Sequence, residues 1–371
     1  MNLYFFLINA IIVIKFIYAQ GNISEECVVI NKLLDKEQSA NCCLYDGVIC
    51  SNGHITKIFF NYIDHNYSFL PEFGNLTKLE YLHIDSLKLL GPIPPEIGNL
   101  SNLTFLQIKG ERISGSIPPE LGNLSNLEEL SIVVSNITGT IPSSLGKLSK
   151  LKALHLNANK LSGPIPLELE KLSNLELLDL SVNKFNGSIP SELGKLSKLN
   201  SLEIDSNNMS GGIPPEFGNL KNLENLNLAE NHLSNSIPPE LGNLYNLKKL
   251  NLSHNSLTGS IPSELGNLSK LKTLSISYNN LTGSIPKEIK KLNIKFYFSN
   301  NPQLKTNKGY NSLIVVLIVG SVFIILLSVI IYLKVFRKNK KRTNNMNNNA
   351  PISTGNAFVN TFEDESILSE N

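Results

Sequence analysis

The sequence predicts an α/β solenoid: a right-handed superhelix of about ten 24-residue copies whose short parallel strands line a concave sheet, plus one transmembrane helix. Three observations predict it. Ile-Pro pairs recur at Ile93, Ile117, Ile141, Ile165, Ile189, Ile213, Ile237, Ile261 and Ile285, a constant spacing of 24. Each copy alternates apolar and polar residues over a short stretch, as a half-buried strand requires. Residues 313–333 form a run of 21 residues without a charge, long enough to cross a ~30 Å hydrocarbon core as a helix.

In chain order, residues 1–19 read as a secretory signal peptide, an apolar stretch ending at the small Ala19. Residues 20–68 form an N-terminal cap. Its Cys27, Cys42, Cys43 and Cys50 are an even set in an oxidising compartment, so disulfides are expected rather than a metal site. Adjacent Cys42 and Cys43 are poor partners for each other, which leaves two pairings open.

Residues 69–304 hold the repeats, beginning with a degenerate copy, "FLPEFGNL", at Phe69. One full copy, "LKALHLNANKLSGPIPLELEKLSN", starts at Leu151 and follows L-x-x-L-x-L-x-x-N-x-L, the leucine-rich repeat pattern. Leu154 and Leu156 are expected to point inward, and Ala153, His155 and Asn157 outward. Asn159 recurs as Asn183, Asn207, Asn231, Asn255 and Asn279, where a side-chain amide satisfies the bend after the strand. Gly163 and Pro166 punctuate the return path. Proline stops helix and ladder at its own position, so the convex side is expected as short strands, turns and 3₁₀ pieces. Each copy buries its Leu and Ile only against its neighbours.

Residues 305–312 are a linker, 313–333 the span and 334–371 a cytoplasmic tail. Lys334, Arg337, Lys338, Lys340, Lys341 and Arg342 follow the span at once, and basic flanks stay inside. The expected topology is single-pass type I at the plasma membrane, with residues 20–309 outside. Gly320 is the only glycine of the span, so no G-x-x-x-G helix-pairing face is present. The tail is Asn-rich, polar and disordered in character. Its "EDESIL" weakly resembles a sorting signal at Ile367–Leu368, and chance explains it better.

With L-x-x-L-x-L-x-x-N-x-L-x-G-x-I-P at 24 residues, the chain resembles the plant-type leucine-rich repeat of receptor-like proteins, receptor kinases and polygalacturonase-inhibiting proteins. The segment "CCLYDGVICSNGHIT" is similar to that family's cap, with Tyr45 where Trp is usual. The resemblance implies Cys27 paired with Cys42 and Cys43 with Cys50. At the other end "NNPQLKTN" has Lys305 where the family often has cysteine, so Phe296 and Phe298 are expected to close the core without a covalent clip. A tail of residues 334–371 is too short for a kinase domain, which implies the kinase-less relatives.

The resemblance also implies ligand binding on the concave face. Its first three copies carry Tyr81, His83, Asp85, Phe105, Gln107, Lys109 and Val133 there, with Val134 beside them. Aromatic side chains are the usual anchors of interfaces, and these copies also lack the ladder Asn, having Leu87, Glu111 and Ser135 instead. We take these copies as the expected contact site. The opposing reading, that edge repeats simply drift, has equal weight. Asp179, Glu203 and Asp205 form a concave acidic trio that reads as a solvated face rather than a calcium site, because an open sheet lacks the other oxygen ligands.

Twelve N-x-S/T sequons are expected outside the cell: Asn22, Asn66, Asn75, Asn99, Asn102, Asn123, Asn136, Asn186, Asn208, Asn251, Asn267 and Asn280. Most fall on the convex turn or beside the ladder, where a glycan suits a surface loop. Asn251 sits mid-strand in the central concave column, where a glycan obstructs the later copies and leaves the first ones open.

Net charge is +2 with 17% charged residues, which gives no field for nucleic acid. No phosphate loop, nucleophile motif or metal-binding His pair is present. His83 and His155 lie about 14 Å apart by sheet spacing, too far to act together. The chain is therefore expected to be no enzyme and to need no cofactor. The leading function is recognition of an extracellular peptide, glycan or protein, with a co-receptor or kinase partner to signal. The alternatives are an adhesion or scaffold glycoprotein, favoured by the uniform later copies, and a tethered inhibitor of a secreted hydrolase.

Overall fold

The structure, a computed structural model, describes residues 25–61, 66–86 and 88–305. The signal peptide at 1–19, Asn22, Leu87, all of the linker after Lys305, the span at 313–333 and the tail at 334–371 lie outside the described residues. Among the described residues no helix is long and apolar enough to cross a membrane.

One sheet of twelve strands runs through the described residues. We number its strands β1 (Val48–Ser51), β2 (His54–Phe60), β3 (Tyr81–Asp85), β4 (Phe105–Lys109), β5 (Glu129–Val133), β6 (Ala153–His155), β7 (Leu177–Asp179), β8 (Ser201–Glu203), β9 (Asn225–Asn227), β10 (Lys249–Asn251), β11 (Thr273–Ser275) and β12 (Lys295–Tyr297). Only β1 and β2 are antiparallel. From β2 onward every pairing is parallel, in a register of 24 such as Lys57 to Tyr81 and Tyr81 to Phe105, until Thr273 meets Lys295. The cap thus contributes β2 to the same sheet as the repeats.

The alternation predicted from the repeat is what packs the core. Leu154, Leu178, Leu202, Leu226, Leu250 and Leu274 are each 0% exposed, and burial of one such side chain is worth roughly 2 kcal/mol. On the return path every copy but the last carries a five-residue 3₁₀ turn, as at Pro95–Asn99 and Pro119–Asn123. Proline at the first position supplies no N–H, and the short Pro-to-Leu interval leaves no room for an α-helix. Among the described residues α-helix occurs only over residues 25–33 and at Lys287–Lys290. Gly98 lets the coils close up, since a Cβ there stands 2.3 Å from the carbonyl oxygen of Glu120.

Two asparagine ladders tie the coils together. In the expected one, Asn183 Nδ2 donates to the carbonyls of Leu156 at 2.9 Å, Leu180 at 3.2 Å and Ser181 at 3.1 Å, while its Oδ1 accepts from Leu161 N–H at 3.0 Å. The other lies at the turn after the 3₁₀ piece: Asn102, Asn126, Asn174, Asn222 and Asn246 each donate to a carbonyl of the preceding coil. Where this Asn is replaced by Lys150, Lys198 or Lys270, the ammonium reaches back to Asn126, Asn174 or Asn246 at 2.7 Å.

The two ends differ. At the start, Cys27 pairs with Cys42 and Cys43 with Cys50, and Cys27, Ile30 and Leu33 of the helix are no more than 2% exposed over the first coils. Glu26 fastens this helix to β2 by accepting from Ile55 N–H at 2.7 Å and meeting His54 Nδ1 at 2.8 Å. At the other end Phe296 and Phe298 pack on the core with ring centroids 5.0 Å apart, yet both remain half-exposed.

Candidate ligand-binding face

The register of 24 brings Tyr81, Phe105 and their neighbours onto three adjacent strands. The rings of Tyr81 and Phe105 lie 4.1 Å apart and are inclined by only 1°. Phe59 of β2 extends the stack, 4.5 Å from Tyr81 and inclined by 30°. The sequence reading missed Phe59 because it assigned residues 20–68 to the cap. The signal was present, since Phe59 stands 24 residues before His83 and pairs with it.

Two pairs of polar side chains on this face are already engaged with each other. His83 Nε2 lies 2.9 Å from Asn61 Oδ1, and Lys109 Nζ donates to Asp85 Oδ2 at 2.8 Å. Both members of that ion pair are about a third exposed, so it contributes little to stability, about 0–1 kcal/mol. Burial, with the Glu129 carboxylate second, pushes the Tyr81 phenol above its usual pKa. Gln107 and Val133 are half-exposed, Val133 opposite Lys109 at the far end of the strands from the rings. Val134 stands exposed at φ +49, a conformation that β-branched residues rarely adopt. Ser135, where the ladder Asn is absent, returns its hydroxyl to the Val133 carbonyl at 2.9 Å. β3, β4 and β5 each span five residues and β6 to β11 three, so the predicted contact site occupies the copies with the longest concave strands after β2.

Further along the face the acidic trio is held by hydrogen bonds. Ser181 Oγ donates to Asp179 Oδ1 at 2.6 Å, Asn225 Nδ2 to Glu203 Oε1 at 2.7 Å and Asn227 Nδ2 to Asp205 Oδ1 at 2.7 Å. Burial first, then the charges of Glu203, Asp179 and Glu230, pushes the Asp205 carboxyl up to about 6. Cys27, Cys42 and Cys43 approach closely enough to suggest a metal group, but each is committed to a disulfide.

The sequons sort by position. Asn66, Asn75, Asn99, Asn123, Asn186, Asn208, Asn267 and Asn280 are exposed. Asn102 and Asn136 are tied through Nδ2 to the carbonyls of Thr77 and Glu111. Asn251 is half-buried on β10, where its Oδ1 accepts from Ser253 Oγ of its own sequon at 2.8 Å.

A stacked parallel sheet with an asparagine ladder defines a leucine-rich repeat protein. The profile of the leucine-rich repeat region matches residues 59–164 and 143–308, and the chain belongs to that family. The solved structures it resembles include several plant proteins. The plant peptide hormone receptor RGFR1, in complex with RGF2, is 39% identical with a TM-score of 0.61, over 63% of this chain and 38% of the receptor chain. The ectodomain of the Arabidopsis thaliana membrane receptor kinase GASSHO1/SCHENGEN3, in complex with CASPARIAN STRIP INTEGRITY FACTOR 2, is 33% identical with a TM-score of 0.63, over 76% and 38%. A plant ice-binding protein is 27% identical with a TM-score of 0.63, over 78% of this chain and 98% of its own. This chain therefore spans about two fifths of the receptor chains it resembles. No curated protein matches it significantly.

Proposed function

We propose that this chain is a cell-surface recognition protein that binds an extracellular peptide, glycan or protein through the N-terminal part of its concave face. The observation that carries the reading is the stack of Phe59, Tyr81 and Phe105. Three half-exposed rings stacked on one face of the sheet form an anchor of the kind that dominates binding energy. The complexes of the peptide hormone receptor RGFR1 with RGF2 and of the GASSHO1/SCHENGEN3 ectodomain with CASPARIAN STRIP INTEGRITY FACTOR 2 support ligand binding by an ectodomain of this kind. Asn251 supports the N-terminal location, since a glycan there crowds β9 to β11.

In this reading residues 313–333 cross the plasma membrane once, and residues 334–371 pass any signal to a co-receptor or kinase partner. The test is capture of cell-surface partners by the full chain, with crosslinking, beside Tyr81→Ala and Phe105→Ala variants. Partners lost with both variants support the site; a partner set unchanged by either overturns it. The uniform register from β6 to β11 favours a second reading as a surface scaffold. Deleting residues 338–371 separates the two, because a receptor loses its response and a scaffold keeps its adhesion.

A further inference from the structure

Two columns of the repeat break at one place on the return path. A glycine in the left-handed region recurs every 24 residues from Gly91 to Gly283, except that Asn235 takes its place at φ +64. The next position is a ridge of exposed Pro, Ser or Thr from Pro92 to Ser284, except that Gly212 interrupts it. The two exceptions are sterically coupled. A Cβ added at Gly163 stands 2.8 Å from the Thr140 side chain of the preceding coil, and one added at Gly259 stands 3.3 Å from that of Ser236. Asn235 is admitted because its counterpart in the preceding coil is Gly212, and its Nδ2 lies 3.2 Å from where a Cβ at 212 would be. An open notch of about 540 Å³ lies at this break. Its apolar walls are the proline pairs at 214–215 and 238–239, and Asn235, Ser236, Glu216 and Glu240 supply polar groups.

We propose that this notch is a recognition site for an arginine side chain of a protein partner, its guanidinium held by Glu216 and Glu240 and its methylene stem laid along the prolines. The lining selects this chemistry. Its only charged groups are the two carboxylates, both exposed and neither in an ion pair. The prolines present ring surface and have no N–H to donate. A cation on an apolar stem satisfies both surfaces, and a planar fork of five donors spans carboxylates on adjacent coils better than a point charge does. Acidity alone does not mark the place, because the glutamate row recurs every 24 residues, as at Glu96 and Glu120, where both columns are unbroken. A second copy of the chain is a poor occupant: Arg112, the only arginine among the described residues, already donates to Asn66 Oδ1 at 2.7 Å. No residue of β3, β4 or β5 lines the notch, so it is additional to the concave site.

The test titrates the full chain in detergent micelles with the peptide acetyl-Gly-Arg-Gly-amide, read by saturation-transfer NMR, beside counterparts carrying citrulline or lysine. The arginine peptide is expected to bind, and the citrulline peptide to bind about tenfold more weakly, as the loss of charge-assisted hydrogen bonds requires. The pair Glu216→Gln with Glu240→Gln is expected to abolish that preference. Gly212→Ser with Asn235→Gly restores both columns of the repeat. The backbone at Gly212 lies outside the left-handed region, so serine fits it, and this variant is expected to keep its Tm and lose the peptide. Glu96→Gln with Glu120→Gln, in the same row without a notch, is expected to bind as the parent does. Undiminished binding by the restored-column variant assigns the peptide to the glutamate row at large and overturns the notch. Should that variant lose Tm, the carboxylate pair decides, and an arginine preference kept in Glu216→Gln with Glu240→Gln overturns the proposal. Equal binding of the citrulline or lysine peptide, or no binding of the arginine peptide, overturns it as well.

Discussion

The rings of Tyr81 and Phe105 stack at 4.1 Å with their planes parallel to within 1°, which follows from identical positions on neighbouring strands about 4.8 Å apart. Such a pair is worth about 1 kcal/mol beyond the area it buries. A double-mutant cycle with Tyr81→Ala and Phe105→Ala, read by urea unfolding, is expected to return a coupling of that size. Additive effects would mean that the rings share a column without interacting.

The ladder amides carry more. Asn183 is buried and serves three carbonyls and one N–H, so Asn183→Ala leaves several buried polar groups unsatisfied. The expected loss is about 2–4 kcal/mol, against at most about 1 kcal/mol for Asn174→Ala at the half-exposed turn. Equal losses at the two sites would contradict the assignment.

Val182 sits at φ +55 with half its surface exposed. A left-handed conformation costs an L-residue with a Cβ roughly 1–2 kcal/mol, and Asn tolerates it better than a β-branched residue. Val182→Asn is therefore expected to raise Tm, by an amount matching about 1 kcal/mol. A lower Tm would show that the valine side chain contributes packing that outweighs its strain.

Partial burial, the largest cause, pushes the Asp205 carboxyl up from its usual 3.8 to about 6. Between those values the folded chain keeps a proton that the unfolded chain has released, so stability falls as pH rises across that window and is level above it. Thermal melts at intervals from pH 4 to pH 7 are expected to show this decline, and Asp205→Asn to flatten it while keeping the carbonyl that accepts from Asn227. A decline of the same steepness in the variant would place the titrating group elsewhere.

Not all of the concave site was legible. Tyr81, His83, Asp85, Phe105, Gln107, Lys109 and Val133 follow from counting in steps of 24, because one-dimensional repetition becomes side-by-side placement in a stacked sheet. Phe59 escaped, since the cap lacks the repeat pattern and only pairing between β2 and β3 reveals its column. The turn ladder through Asn102, Asn126 and Asn174 also escaped, as its bonds run to carbonyls 25 residues earlier and leave no trace in local propensity.

By itself the sequence determined the coil: its length, its inward leucines, its asparagine bend and the stacking that these require. These follow from local periodicity, and each coil buries its apolar face only against the next. The tertiary structure decided what repetition leaves open. It set which polar residues consume one another, as Lys109 does Asp85 and His83 does Asn61, and which rings meet across a break in the pattern. It also distinguished an end closed by disulfides and a helix from an end where Phe296 and Phe298 stay half-exposed. Those outcomes depend on contacts between coils and on where the stack stops, and no single period of the sequence contains either.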